Sequence, residues 1–168
     1  RFVNGEETYL PLYEAKMFHQ FDHRYGSFAE SESRTNVQLS KASADQHSNP
    51  RYTPEPWFWV DETEVEKEQE NRQSQFLVFR DIARTTDERT GIFSLIPWSG
   101  VSNKAPILSW KTVDTKKAAA LFGELNSFPF DFSVRQKVGG VSLNFYIVKQ
   151  LPVHPPGRYT SELLTYIV

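Results

Sequence analysis

Glu14 and Lys16 stand one residue apart in the segment YLPLYEAKMF, residues 9–18. A carboxylate and an ammonium spaced in this way at a strand end can serve metal-dependent nuclease chemistry. The acid holds Mg²⁺ and the Lys steadies the nucleophile or the phosphate. That chemistry needs a further acid upstream in the same fold. Only Glu6 and Glu7 precede the pair, so two solvated side chains flanking a buried edge are the simpler account. His19 and His23 have the i, i+4 spacing of a helical zinc pair, with Asp22 between them. A third ligand would have to come from His47, His154 or a distant acid, and packing within the block is again simpler. The chain has no Cys, which removes disulfides and thiolate metal sites. No Ser, His and acid fall at a spacing that argues for nucleophilic catalysis.

The 168 residues suit one domain with a real core, and 39% hydrophobic and 24% charged residues place it among soluble globular chains. Thirteen Phe, seven Tyr and four Trp supply core and stacking surface alike. Net charge is −2, but residues 61–70 alone hold six acids and one Lys, so the rest of the chain carries +3. A basic face can therefore exist with the acidic block turned away. No apolar run is long enough to span a membrane, and no signal peptide opens the chain, which starts at Arg1 like a fragment; a cytoplasmic location is the expectation.

The elements that must position these groups follow from periodicity. Residues 9–18 read as a strand. Residues 29–56, rich in Ser, Asn, Gln, Asp and Pro, read as a long loop and the least ordered part. Residues 63–73 read as a solvated helix. Phe76, Val78 and Ile82 alternate with Leu77, Phe79 and Ala83, giving a strand buried on both faces, with Arg80 and Arg84 on the first face. With residues 91–97 it forms a hairpin, and residues 106–110 add a short strand. Asp114 caps a helix over about 115–126, with Ala118, Leu121, Phe122 and Leu125 as its buried stripe. Ser127 caps a second helix that tolerates Pro129 in its first turn and runs to about Lys137, stopping at Gly139-Gly140. Residues 143–148 read as a strand ended by prolines, and the last eight residues as a helix. The expected fold is an α+β domain on a mixed or antiparallel sheet, with a variable segment over 29–75 and a structured core over 76–153.

Four blocks carry a family resemblance: LPLYEAKMFHQFDHR (10–24), FLVFRDIARTTDERTGIFSLIP (76–97), ELNSFPFDFSVRQKVGG (124–140) and VSLNFYIVKQLPV (141–153). In this order they resemble the target-recognition region that follows the catalytic domain in adenine-specific (N6) DNA methyltransferases of restriction-modification and phage-defence systems. The last two blocks are also similar to the ends of recognition domains in type I specificity subunits. The resemblance implies a non-catalytic module that reads double-stranded DNA while the methyltransferase domain of the same chain, with S-adenosylmethionine, modifies it. It also implies that no cofactor or metal is bound within these residues.

In such a module Lys and Arg neutralise phosphates, and side chains with paired donors read base edges. Lys104, Arg135 and Lys137 are the candidates for phosphate contact, and Arg84 and Arg89 for base contact. Each of the five has surface ion pairing as its alternative, for instance with Asp81, Asp87 or Glu88, and Arg80 in its apolar strand reads as a buried ion pair. Glycines at 139 and 140 would let backbone approach a phosphate. Asn49-Pro50-Arg51-Tyr52 superficially resembles the Asn-Pro-Pro-Tyr/Phe loop that grips a flipped adenine, but the second Pro is missing and no buried strand precedes it. Two other functions compete: a metal-dependent nuclease fragment using Glu14 and Lys16, and a protein-interaction domain of a defence complex.

Overall fold

The computed structural model describes residues 1–34, 38–68, 74–109 and 114–167. Its centre is the strand β6, Gln75–Phe79, in which Phe76, Leu77, Val78 and Phe79 are all at most 4% exposed. A run this apolar must bury both faces, because alternate side chains point to opposite sides of a sheet. Leu77 and Phe79 pack with Phe93, Leu125, Phe130 and Val134 in one cluster. Phe76 and Val78 pack with Tyr13, Met17, Phe18 and Phe28 in the other. Each such burial is worth about 1.5–3 kcal/mol, so the strand anchors two layers at once.

β6 is the middle strand of an antiparallel three-stranded sheet. It pairs with β7, Phe93–Pro97, from Gln75↔Pro97 to Phe79↔Phe93, and with β9, Ile107–Leu108. A second sheet joins β1 (Phe2–Asn4), β2 (Glu7–Tyr13) and β5 (Trp59–Asp61) in antiparallel pairs. β8, Gly100–Val101, then pairs parallel to the end of β2. The first sheet is antiparallel and the second mixed, as the α+β expectation requires. The short helix α2 (Glu62–Lys67) packs on the second sheet, and a two-stranded ribbon, β3 (Gly26–Ser27) with β4 (Ser40–Lys41), and the short helix α1 (Ala44–Ser48) lie in the chain between β2 and β5.

The helices α3 (Thr115–Leu125) and α4 (Phe128–Lys137) cover the Leu77/Phe79 face. Their starts are fixed locally. Asp114 accepts from the N–H groups of Lys116 and Lys117, and Ser127 accepts from Phe130 N–H. In α4, Phe130 and Val134, four residues apart, are buried, while Phe128 and Phe132 remain exposed.

Several expectations are revised. The first strand ends at Tyr13, and Ala15–Met17 form a 3-10 turn. Residues 143–148 are not a strand. Asn144 caps a short helix α5, Phe145–Val148, by accepting from Ile147 N–H. The extended segment lies just upstream, where Val141 and Leu143 exchange backbone bonds with Ala83 and Asp81. Neither Gly139 nor Gly140 adopts a positive φ, and a Cβ on either would meet nothing within 4 Å. α4 therefore ends without needing glycine. His19 and His23 do not lie on a helix. A tight turn bridges His19 to Asp22, with Phe21 at φ 60, so the zinc spacing has no helical meaning. α2 stops at Lys67, and residues 69–73 of the expected helix, like 35–37 of the loop and Trp110 of the strand, lie outside the described residues. The core also extends beyond 76–153, drawing in Leu10, Tyr13, Met17, Phe18, Phe28 and Val65. A final helix, α6 (Ser161–Ile167), packs near α3.

Candidate nucleic-acid interface

β2 and β8 run parallel, so their C-terminal ends deliver their loops to the same side of the sheet. Ser102 N–H extends the ladder by donating to Tyr13 O at 2.9 Å. The end of β6 reaches this side too, because Asp81 N–H donates to Lys104 O at 3.0 Å. Three strand ends thus surround a cleft of about 430 Å³. Lys16 comes from the turn after β2, Arg80, Arg84 and Asp87 from the loop after β6, and Ser102 and Lys104 from the loop after β8. Arg34, from between β3 and β4, and Glu14 complete it. Five cations and two carboxylates line this one depression, a local charge of +3 in a chain whose net charge is −2.

The cations are held unequally. Lys104 Nζ lies 2.6 Å from Asp81 Oδ2, with half of the Lys side chain exposed and the carboxylate nearly covered. Burial works to raise the Asp81 pKa. Hydrogen bonds from Lys104 and from Ser142, whose hydroxyl also donates to this carboxylate, outweigh burial and hold it below the usual value. Arg80 points its guanidinium at the carbonyl of Phe18 and lies over the rings of Phe18 and Tyr25. Its role is to cap a buried carbonyl, in place of the ion pair expected from sequence. Lys16 sits over the Phe28 ring at 4.6 Å, and Arg34 over the Phe58 ring at 4.7 Å. Arg34 also lies 3.6 Å from Glu14 Oε2, a long ion pair. Arg84 is exposed beside them.

Of the five residues singled out from sequence, Arg84 and Lys104 meet in this cleft; Arg89, Arg135 and Lys137 do not line it. Arg135 braces the loop that carries Arg84. Its guanidinium donates to the carbonyls of Thr85, Asp87 and Glu88 at 2.6–2.7 Å and to Asp131 at 3.0 Å. Four of its five N–H donors are thereby occupied inside the chain. Asp131, 5% exposed, accepts in addition from the N–H groups of Thr90 and Gly91, which fixes the far end of the same loop. Arg89 stacks on Phe128 at 3.8 Å, and Lys137 is exposed at the end of α4. Lys16 and Arg34, which also line the cleft, were not among the basic residues singled out from sequence for DNA contact. Arg34 lies in a Ser-rich stretch without periodicity, and only the non-local pairing of β2 with β8 brings Lys16 to the loop of Lys104.

The remaining sequence candidates are accounted for structurally. Burial and the nearby Arg80 lower the His19 pKa, and burial and Arg24 lower that of His23. Among the described residues no group of three His, Asp or Glu side chains is placed to hold a metal. Asn49 Oδ1 accepts from Arg51 N–H, an Asx turn, and Arg24 donates to the carbonyls of His47 and Asn49. The Asn-Pro-Arg-Tyr segment is the end of a small helix, its amide oxygen already engaged.

A second cavity, about 590 Å³, lies between α3 and the C-terminal segment. At its wall Glu124 accepts from the backbone and ring nitrogens of His154 at 2.9 and 2.8 Å and from the hydroxyl of Tyr159. Burial pushes toward a higher Glu124 pKa, but these donors outweigh it and hold the carboxyl below its ordinary value. The three residues staple the tail to α3. No helix among the described residues is long and apolar enough to cross a membrane. Comparison with known proteins finds no matching family model, no matching curated protein and no matching solved structure.

Proposed function

We propose that the chain is a DNA-binding module whose cleft, lined by Lys16, Arg34, Arg84 and Lys104, holds the phosphates of a duplex, and that it serves as the target-recognition part of an S-adenosylmethionine-dependent adenine-N6 DNA methyltransferase. The observation that carries the reading is the gathering of five cations from four separate segments into one depression. Lys104, Arg34 and Arg80 have partners inside the chain, yet the depression is lined by five cations against two carboxylates, an excess that an anionic ligand would offset. The second half of the proposal rests on the four resembling blocks. In it, methyl transfer belongs to another domain, and these residues bind and orient the substrate.

A nuclease reading has one observation in its favour: Glu14, Lys16 and Asp87 line the same cleft. The two readings separate in a single experiment. The full chain is titrated with labelled duplex DNA in Mg²⁺ and in a chelator, with S-adenosylmethionine present in each. The module reading expects salt-sensitive binding in both, without cleavage or methyl transfer. Mg²⁺-dependent cleavage abolished by Glu14→Gln would replace it with the nuclease, and no duplex binding at low salt would remove both.

A further inference from the structure

Within the cleft, two polar atoms are buried and take no hydrogen bond: Glu14 Oε1 and Ser102 Oγ. A buried acceptor left unpaired is costly, the more so for a carboxylate. Phosphate binding does not explain this one. A carboxylate among Lys16, Arg34, Arg84 and Lys104 weakens the attraction for any phosphate. The feature that offsets such a cost is a donor carried by the ligand itself. A nucleic acid offers this chemistry beside its phosphates in the exocyclic amine of cytosine or adenine, and carboxylates accept from cytosine N4 at the major-groove edge.

We propose that Glu14 is a specificity-determining residue that accepts a hydrogen bond from the exocyclic amine of one base of the bound duplex. This deepens the DNA-binding reading and rests on it. Arg34 is the group that yields. Its guanidinium is half exposed and 3.6 Å from Glu14 Oε2, too far for a tight pair. A phosphate arriving at Arg34 competes with Glu14 for it and releases the carboxylate to the base. Ser102, with one donor and two acceptor sites, supplies the neighbouring contact. In the free protein the same Arg34–Glu14 contact keeps the carboxylate from repelling DNA at first encounter.

The test is selection of duplexes from a randomised pool by the full chain, comparing wild type with Glu14→Met, which keeps the side-chain volume and removes the acceptor. Wild type is expected to enrich one base pair at one position, and Glu14→Met to lose the preference there alone. Its affinity for unselected duplex should rise, since a negative charge has left the cleft. The cytosine or adenine of that pair is then replaced by its analogue without the amine, pyrimidin-2-one for cytosine or purine for adenine. This should cost wild type about 5- to 150-fold in affinity and the variant almost nothing. If Glu14→Met does not fold, Glu14→Asp, which keeps the charge and shortens the reach, is expected to show the same local loss. Duplex binding with an identical base preference in wild type and variant overturns the role of Glu14, as does an amine-free analogue that costs both proteins the same. Failure of both proteins to bind duplex at low salt overturns instead the DNA-binding reading beneath it.

Discussion

At the scale of single residues, the loop between β6 and β7 shows how a polar group can be both buried and indispensable. Asp131 sits in the first turn of α4, where unpaired N–H groups and the helix dipole favour a carboxylate. It spends its charge on Thr90, Gly91 and Arg135, and Arg135 spends its own on the carbonyls of residues 85, 87 and 88. Removing Asp131 would leave two buried N–H groups and a guanidinium without their acceptor. Asp131→Ala is expected to destabilise the fold by on the order of 3 kcal/mol in urea unfolding. Arg135→Lys should recover little of what Arg135→Ala loses, because an ammonium cannot span three carbonyls and a carboxylate at once. Equal stability of Arg135→Lys and wild type would show that the fork is not needed. From sequence Arg135 is a free cation ahead of two glycines; its four internal partners are 4 to 50 residues away and leave no trace in local pattern.

At the scale of elements, what local chemistry decides was legible and what pairing decides was not. The double-faced strand β6 and the Asp114 and Ser127 caps follow from residue types at fixed positions; the Phe130/Val134 face of α4 was not read from the sequence. Residues 143–148 failed as a strand because a short apolar run fits either period. Asn144, placed to cap Ile147 N–H, was the signal for a helix. The glycines after α4 are the other instructive case. Their backbone conformations suit any residue and their Cβ positions are open. Gly139→Ala and Gly140→Ala are therefore expected to stabilise the chain by about 0.4–1 kcal/mol each through the unfolded state. Thermal unfolding checks this, and loss of stability would mean that the segment needs the left-handed region after all. Duplex affinity measured on the same variants asks whether this backbone lies against a phosphate. The present geometry, with neither glycine lining the cleft, expects no change.

At the scale of the whole molecule, two features join distant parts of the chain: the cleft, and the staple that fastens the C-terminal segment to α3. The staple gives stability a predictable pH dependence. Glu124 has a folded pKa below its ordinary value, so its contribution is fully present above the ordinary carboxylate range and is lost as pH falls through the folded pKa. The difference in unfolding free energy between wild type and Glu124→Gln is expected to be constant near neutrality and to shrink on acidification below the ordinary Glu range. A difference that persists unchanged to pH 3 would contradict the role of Tyr159 and His154 as its partners. The cleft is the more consequential feature, because only the folded chain assembles it; in sequence its cations are up to 88 residues apart, from Lys16 to Lys104.

The central claim is that these cations bind phosphates, and counterion release measures it most directly. Duplex affinity is determined across a range of salt for wild type, for Lys16→Gln, Arg34→Gln and Arg84→Gln, and for Lys137→Gln, which lies outside the cleft. Each cleft variant is expected to weaken binding to all sequences and to lower the slope of log affinity against log salt by about one, while Lys137→Gln leaves the slope as it is. Folded cleft variants with the wild-type slope, or a slope that falls only with Lys137, would contradict the account.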